Sequence, residues 1–486
     1  MDVLKRLKEI GIALSKEKDI MRLFDMIVES AMEFTKSDGG TLYIVSEDKK
    51  SLEFAIVRNK TLGIRTNGII SLTPWESVPL LNEDGSPNYS NVSSYCALTG
   101  KTVSIDDVYD TKIFNFEKTK DFDLKANYRS KSMLVVPMKN HEAEIIGVLQ
   151  LINAKDEITG KVIPFSQEDE ELIECLASQA AIALTNRMLI NDLEELFQSF
   201  IRAITSAIDE KSPYTRGHAE RVTQIAVMLA QKINETNLGP FANTYLTDDE
   251  IEEIKIAAIL HDVGKVSIPE HILDKATKLH SLLDRIELIR LRYEILKREY
   301  AFFPEKREEL KSEMELLERI NLGLEPVTES TVEKLEKIGE RTWQSDRGEE
   351  PFLKEEELQS LCVKRGTLTE KEKKIVNSHA EITYKILSNL RFPKKLKNVP
   401  FIASSHHEKL NGKGYPRGID AKSLPLQSRI ISIADIFEAL TAKDRPYRAS
   451  NTRSEALIIM EKMAKDGEID KDLFELFVSS GIPELF

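Results

Sequence analysis

A segment from about Gln167 to Asp209 contains neither proline nor glycine, and no other property of the sequence limits the fold as strongly. Proline and glycine are the residues that most often interrupt a helix, so the segment is expected to be one continuous helix. Such a helix is far longer than the average helix of a globular domain. It therefore divides the 486-residue chain into a front and a back part, and the sequence predicts a multidomain protein.

Mostly apolar residues recur within this helix at alternating spacings of four and three, which is the heptad pattern of a coiled coil. The positions are Ile182, Asn186, Leu189, Leu193, Leu196, Phe200 and Ala203. A single Asn at a core position can fix the register of two paired helices. The pattern favours a homodimer, although an amphipathic helix that packs on its own domain would show a similar one.

The front part mixes helix and strand signals. Residues 21–35 have helical periodicity, and β-rich runs cover residues 41–48, 51–57, 132–138 and 145–153. The last two runs are joined by the polar residues KNHEAE and predict a hairpin. We expect an α+β domain over residues 1–175, with helices and an antiparallel sheet, followed by a connecting helix over residues 176–210.

The back part, residues 211–486, is mainly helical and is interrupted by a charged insert at about residues 280–367. The Leu/Ile spacing of the insert predicts two helices that break at Phe303-Pro304 and form an antiparallel hairpin. Charged runs of this kind are usually solvated helix faces. The insert could cover a binding pocket, dock another protein, or be a surface addition that affects only stability.

Composition excludes several classes of protein. The net charge of −13 argues against binding of polymeric nucleic acid. Cys96, Cys175 and Cys362 lie far apart and are expected to be reduced thiols. The N-terminus lacks a secretory signal, and no stretch approaches the ~18 consecutive apolar residues of a membrane span. These features predict a cytoplasmic protein without a membrane partner.

Seven of the eight histidines occur in the back part, and five of these are candidate functional residues, several of which adjoin apolar helical runs. A lone histidine on an apolar face is more often a hydrogen-bonded core residue, and a lone Asp in a helix often binds a neighbour. Together these side chains are harder to explain, because burying unpaired carboxylates costs several kcal/mol. Imidazoles with carboxylates suit iron, manganese, zinc or nickel. The side chains exceed the needs of one metal ion and predict a two-metal site: His218, His261, Asp262, His379, His406, His407 and Asp435.

The ordered motifs GH, HDVGK, H, HHEKLNGKGYP and AD resemble those of the HD-GYP family, which are cyclic-dinucleotide phosphodiesterases of the HD superfamily. The resemblance covers about residues 200–279 and 368–475, and it implies an all-α domain. By contrast, Glu438 belongs to an EAL tripeptide that we interpret as ordinary helix composition.

The resemblance implies a role for each motif. One metal ion would be held by His218, His261, Asp262 and Asp435. Asp262 would bridge to a second ion, held by His379, His406 and His407. Lys265 would lie near the scissile phosphate, and Asp262 and Lys265 are therefore the candidate catalytic residues. Gly412, Gly414 and Pro416 would shape a loop beside the second ion, and the candidate substrate contacts are Lys265, Tyr415, Arg445 and Arg448.

The implied cofactors are two divalent ions, iron or manganese. Family members with a third metal carry a Glu where this chain has Tyr214, which argues against a third ion. The implied activity is hydrolysis of cyclic di-GMP to linear pGpG, with GMP as a further product left open. Two alternatives stay open: a phosphodiesterase for cyclic GMP-AMP, and a slow cyclic-dinucleotide receptor that acts through a partner.

Residues 20–175 resemble a GAF sensory domain, through LFDMIVESAMEFTKSDGGTLYIV, ALTGKTVSIDDV and SMLVVPMKNHEAEIIGVLQLINAKD. The resemblance implies regulation by a small molecule or a role in dimerisation. Five residues approximate the pattern of GAF domains that bind cyclic nucleotides, although Ala154 changes the spacing: Asn153, Lys155, Phe165, Asp169 and Glu170. The same residues could serve only to stabilise the fold.

Overall fold

The computed structural model describes residues 3–67, 75–211, 217–442 and 451–486. Its contacts divide the chain into two compact units, Met1–Phe197 and Gln198–Phe486. Within the described ranges, no helix combines the length and apolar character that are needed to cross a membrane.

The front unit is built on one antiparallel sheet. The strands are β1 (Ser37–Val45), β2 (Ser51–Asn59), β3 (Ile64–Asn67), β4 (Val78–Pro79), β5 (Val103–Ile105), β6 (Met133–Lys139), β7 (Ile145–Lys155) and β8 (Val162–Ile163). The main order is β3-β2-β1-β7-β6-β5, with β4 beside β2 and β8 beside β7. Pairing of Met133 with Ile152 and of Val136 with Leu149 confirms the predicted β6–β7 hairpin.

Helices cover the sheet of the front unit. They are α1 (Val3–Lys16), α2 (Ile20–Phe34), α3 (Val92–Thr99), α4 (Glu117–Ala126) and the first part of α5 (Gln167–Lys211). One core cluster joins the sheet to α1, α2 and α5, and a second cluster joins it to α3 and the loops around it. The α+β fold class is therefore confirmed.

Strand β1 begins four residues before the predicted run, because Gly39 and Gly40 belong to the strand. A Cβ atom at Gly40 would lie 2.9 Å from side-chain carbons of both Met32 and Val28. Glycine here lets α2 pack directly against the strand. Sequence propensity alone would exclude these two glycines from the strand, because glycine is disfavoured in strands.

Helix α5 is continuous from Gln167 to Lys211, as the absence of proline and glycine predicts. Its start is fixed by reciprocal hydrogen bonds, in which Ser166 Oγ accepts the Asp169 N–H (3.1 Å) and Asp169 Oδ2 accepts the Ser166 N–H (2.9 Å). The helix passes the boundary between the two units, so it is the covalent link between them.

The back unit is helical at both ends of the charged insert. Before the insert lie α6 (His218–Glu235), α7 (Asp248–Leu260), a 3₁₀ turn (Val263–Ser267) and α8 (Glu270–Leu273). The insert contains α9 (Ile286–Glu299), α10 (Pro304–Asn321), α11 (Glu329–Gly339), the strand pair β9 (Thr342–Ser345) and β10 (Gly348–Pro351), and α12 (Glu355–Leu361). After it come α13 (Glu370–Ser388), α14 (Val399–Ala403), α15 (Leu426–Thr441), α16 (Arg453–Lys465) and α17 (Lys471–Ser479), with short 3₁₀ turns at Lys394–Leu396 and Ile482–Leu485.

The insert forms the predicted antiparallel hairpin. Helix α9 ends at Glu299 and α10 begins at Pro304, and the ion pair between Arg290 and Glu318 joins the start of one helix to the end of the other. The insert also has its own apolar core, which includes Leu296 and Leu317. Charged residues of α10 lie on its solvated face, as expected, so the insert is a small folded body within the helical unit.

Candidate metal centre

The predicted metal ligands come from five parts of the helical unit. His218 is the first residue of α6. It follows the N-cap residue Gly217, which has a left-handed backbone conformation with a φ of 72°. His261 and Asp262 directly follow α7, which begins with a capping box between Thr247 and Glu250. The remaining ligands lie on α13, in the turn after α14 and on α15: His379, His406, His407 and Asp435.

The structure brings these side chains together in two groups of three. His218, His261 and Asp262 form one group, and in each group the possible ligand atoms lie within 4.8 Å of one another. The second group is His379, His406 and His407. Asp435 joins the first group, because its Oδ1 lies 3.2 Å from His218 Nε2 and 3.8 Å from His261 Nε2.

Asp262 lies between the two groups and points one oxygen at each. Its Oδ2 lies 3.2 Å from His261 Nε2 and 3.6 Å from His218 Nε2. Its Oδ1 lies 3.4 Å from His379 Nε2. This is the position that a carboxylate needs in order to be shared by two neighbouring cations.

Three of the histidines are oriented by main-chain carbonyls three residues before them. A carbonyl oxygen can only accept, so each Nδ1 carries the proton and each Nε2 presents a lone pair to the site. The bonds are His261 Nδ1 to Ala258 O (2.7 Å), His379 Nδ1 to Val376 O (2.6 Å) and His406 Nδ1 to Ala403 O (2.6 Å).

The Nε2 lone pairs of these histidines face one another, and no hydrogen-bond donor of the described chain segments lies between them. His379 Nε2 and His406 Nε2 are 3.5 Å apart. Among the described residues, His261 Nε2 and Asp262 Oδ1 are buried atoms that have no hydrogen-bond partner. Buried acceptors that converge in this way repel one another unless a cation lies between them. The residues present therefore fit divalent metal ions.

The protonation states of His379, His406, His407 and the two aspartates agree with metal binding. Burial lowers the pKa of His379, lowers that of His406 strongly, and lowers that of His407 to about 3, so these imidazoles are neutral near pH 7. Burial by itself would raise the pKa of Asp262, but His261 and Lys265 outweigh it and hold that pKa well below its usual range. The pKa of Asp435 is lowered in the same way, mainly by its hydrogen bond with His218.

Residues that the sequence did not single out support the first group. The Glu438 carboxylate binds His218 Nδ1 through Oε2 and Arg221 Nε through Oε1 (2.7 Å). Burial opposes the charged form of His218, but Asp435 and Glu438 raise its pKa to about 9. Glu438 is assigned no role from the sequence, and its contact with His218 emerges only from the structure. Its spacing of three residues from Asp435 on one helix face was the available signal.

Lys265 and Tyr415 lie at the edges of the two groups. Lys265 Nζ donates a hydrogen bond to Asp262 Oδ2, and Lys265 lines a small cavity together with His218 and Asp262. The Tyr415 ring lies against His407, with the ring centroids 4.8 Å apart and the planes 36° from parallel. Both side chains can therefore reach a ligand that binds over the metal positions.

The loop after His407 is held in a tight conformation. A Cβ atom at Gly414 would lie 2.3 Å from Lys409 N and 2.6 Å from His407 O, so only glycine fits. The buried Glu408 carboxylate accepts the N–H groups of Arg417 (2.7 Å) and Ile419 (3.1 Å). Sequence reasoning predicted the role of the glycine but missed Glu408, since a charged residue beside two histidines gave no sign of burial.

Three residues considered in the sequence analysis, Tyr214, Arg445 and Arg448, lie outside the described residues. In the front unit, Asn153 Oδ1 accepts the Lys131 N–H (2.7 Å), Lys155 Nζ binds Asp38, and Asp169 caps α5. These side chains hold their own chain together, which is the stabilising role that the sequence left open.

Family models match most of the chain in separate segments. A GAF domain model matches residues 19–184, and HD domain models match residues 215–340 and 356–473.

Several curated relatives match part of the chain. The 3'3'-cGAMP-specific phosphodiesterase 3 of Vibrio cholerae is 26% identical over 265 residues, which are 54% of this chain and 35% of that protein. The cyclic di-GMP phosphodiesterase response regulator RpfG of Xanthomonas campestris pv. campestris is 23% identical over 281 residues, 57% of this chain and 47% of that protein. A cyclic di-GMP phosphodiesterase of Thermotoga maritima is 35% identical over 104 residues, 21% of this chain and 28% of that protein. This chain thus spans less than half the length of each of these three relatives. The chain thus carries a GAF domain followed by an HD domain, and its similarity to these phosphodiesterases supports the HD-GYP family that its motifs resemble.

Proposed function

We propose that the helical unit is a metal-dependent phosphodiesterase that hydrolyses cyclic di-GMP to linear pGpG. The observation that carries the proposal is the convergence of two groups of buried acceptors on either side of Asp262. Imidazole with carboxylate suits iron or manganese. Two such ions supply an activated water nucleophile at neutral pH and positive charge for the reacting phosphate. Relatives named as cyclic di-GMP phosphodiesterases support the substrate class.

The ligands divide between the two ions according to their distances. Asp262 is shared, since its two oxygens point to different groups. One ion would be held by His218, His261 and Asp435, and the other by His379, His406 and His407. His218, His261, His379 and His406 would use the nitrogen that the hydrogen bond at Nδ1 leaves free, so these four ligands would keep their orientation.

In the reaction, the oxygen of a water molecule forms a bond to phosphorus and the bond from phosphorus to the 3′-oxygen breaks. The 3′-oxygen takes up a proton, and one linear dinucleotide results. Lys265 is positively charged and held beside Asp262, so it can neutralise negative charge on the phosphate as it develops. Tyr415 offers a ring face beside His407 on which a base can stack. Arg445 and Arg448 stay predicted substrate contacts.

A second candidate substrate is a cyclic GMP-AMP dinucleotide. The observation that favours it is the similarity to relatives that are named 3'3'-cGAMP-specific phosphodiesterases, one of which is 46% identical over 76 residues. The same metal centre would serve both substrates, because the cleaved bond has the same chemistry in each.

The proposal is tested by anaerobic purification, metal analysis, and incubation with each dinucleotide followed by chromatography. We expect two metal ions per chain and a linear dinucleotide product, and the ratio of the two kcat/KM values identifies the preferred substrate. Full occupancy by iron or manganese without hydrolysis of either dinucleotide would contradict the proposed activity and favour the receptor alternative.

We also propose that the chain forms a homodimer through the heptad face of α5. The apolar residues of this face are strongly solvent-exposed within one chain: Ile182 is 46%, Leu189 48%, Leu193 64% and Phe200 51% exposed. Exposed apolar residues at spacings of four and three are what a second helix of the same kind would cover.

Leu193→Lys is expected to convert dimers into monomers, because it places a charge in the centre of the apolar face. Light scattering on the full chain after size-exclusion chromatography measures the mass directly. Glu195→Lys is the matched control, since it also places a lysine on the exposed surface of α5 but away from the heptad face. A dimer that survives Leu193→Lys would show that this face is not the interface.

A further inference from the structure

The last turn of α5 contacts the chain segment that follows Asp262. Lys211 Nζ donates hydrogen bonds to the carbonyl oxygens of Lys265 (3.2 Å), Val266 and Ile268 (2.7 Å). These carbonyls belong to the end of the 3₁₀ turn Val263–Ser267 and to the residue after it, and Lys265 O also accepts the Ile268 N–H (3.1 Å). An ammonium group has three protons to donate, so one side chain can cap all of them.

The same turn of α5 contacts the segment that leads into His218. Asp209 Oδ2 accepts the N–H of Gly217 (3.0 Å), the residue directly before this predicted metal ligand. Thr205, Ile208 and Asp209 also line the small cavity that Lys265 borders. Two separate segments that carry metal-centre residues are therefore fixed to one end of the connecting helix.

The opposite side of the 3₁₀ turn is fixed by α13. Thr383 Oγ1 accepts the Gly264 N–H (3.0 Å) and donates to His261 O (3.0 Å). The turn is thus held between a fixed contact on the core side and Lys211 on the α5 side. Loss of the Lys211 contacts would free the end of the turn that contains Lys265 without disturbing the Thr383 contacts at Gly264 and His261.

We propose that Lys211 is a positioning residue, which holds the Lys265–Ile268 segment so that Lys265 keeps its place beside Asp262. Together with Asp209, it makes the end of α5 the point at which a displacement of the connecting helix reaches the metal centre. The inference rests on the proposed phosphodiesterase activity for its kinetic consequence. Its structural part, the clamping of residues 263–268, does not depend on that activity.

The test compares Lys211→Met, Lys211→Arg and Arg202→Met in the full metal-loaded chain. Arg202 lies on the exposed surface of the same helix, so its replacement removes a positive charge without touching the turn. In Lys211→Met we expect amide hydrogen exchange at residues 263–268 to accelerate about tenfold, the size that follows from losing a hydrogen bond to a charged group. We expect kcat to fall by a similar factor, with KM changed less than about twofold and metal content unchanged.

Lys211→Arg is expected to recover most of kcat, because guanidinium also donates to several carbonyls. The proposal would be overturned if Lys211→Met and Arg202→Met had the same amide exchange rates and the same kcat. The proposal would also be overturned if Lys211→Met lost its bound metal or if Lys211→Arg recovered none of the kcat. Either result would show that Lys211 has a purely structural role. If the wild-type chain hydrolyses neither dinucleotide, the proposed function fails, and the exchange rates still decide whether Lys211 clamps the turn. If Lys211→Met does not fold, Lys211→Gln tests the same contacts with a shorter, neutral donor, and faster exchange is again expected at residues 263–268.

Discussion

Asp262→Asn is expected to abolish hydrolysis of cyclic di-GMP, with kcat/KM lowered by about 1,000-fold or more, which corresponds to several kcal/mol of lost charge stabilisation. Asp262 points one oxygen at each group of histidines. An amide removes the negative charge from both positions and places an N–H₂ donor where one ion must bind. Both metal positions should therefore lose affinity together.

Metal content and thermal unfolding provide the measurements beside kcat/KM. Added Mn²⁺ is expected to raise the Tm of the wild-type chain, because a ligand that binds only the folded state stabilises it. Added Mn²⁺ should not change the Tm of Asp262→Asn. Binding of cyclic di-GMP to this variant separates the remaining alternatives, since a receptor would retain affinity for the dinucleotide without the metals.

Glu253→Gln is the matched control for Asp262→Asn. Glu253 is a buried carboxylate on α7, the helix that Asp262 follows, and both of its oxygens accept hydrogen bonds from Asn398. This variant should lower the Tm, because the new N–H₂ group faces a donor, while its metal content stays unchanged. A similar loss of metal in both variants would show that Asp262 acts only through stability.

Gly264→Ala is expected to inactivate the metal centre through a steric conflict with the backbone. A Cβ atom at this position would lie 2.0 Å from His379 O and 2.7 Å from Thr383 N. Both atoms belong to the main chain of α13, so no side-chain rotation relieves the contact. The turn after Asp262 and the helix that carries His379 would have to separate, which pulls the two groups of ligands apart.

The expected cost exceeds the ~1–3 kcal/mol typical of overpacked cores, because main-chain atoms must move. Urea unfolding with and without metal measures it, together with metal content and kcat. Gly339→Ala is the control: this glycine ends α11 in the charged insert, and the nearest atom to its new Cβ is a flexible Leu358 methyl group at 3.3 Å. Alanine there should be neutral or slightly stabilising. Normal metal content and activity in Gly264→Ala would contradict the close packing at this turn.

Several elements of the fold could be predicted because their signals are local. The continuous helix α5 follows from the absence of helix-breaking residues over its whole length. The β6–β7 hairpin follows from two β-rich runs and the polar turn between them. The position of β1 could not be predicted in the same way, since Gly39 and Gly40 are in the strand only because α2 packs against them.

The ligand set of the candidate site could likewise be proposed from motifs, while its supporting contacts could not. Thr383 and Glu408 carry no local signal, and the only local signal of Glu438 is its spacing from Asp435. The partners of Glu438 and Thr383 lie far away in the sequence: Glu438 binds His218 across 220 residues and Thr383 binds Gly264 across 119. Polar side chains of this kind become informative only when burial removes water and forces each of them to find a partner.

The sequence by itself determined the type of chemistry and the order of the elements. Imidazoles and carboxylates in ordered motifs predict metal binding wherever they meet, and helix periodicity does not depend on distant residues. Only the tertiary structure decided which oxygen of Asp262 faces which histidine, which nitrogen of each histidine is free, and that Lys211 reaches the turn beside Lys265. These facts depend on side-chain direction at packed surfaces, where all neighbours act at once and no local pattern specifies the outcome.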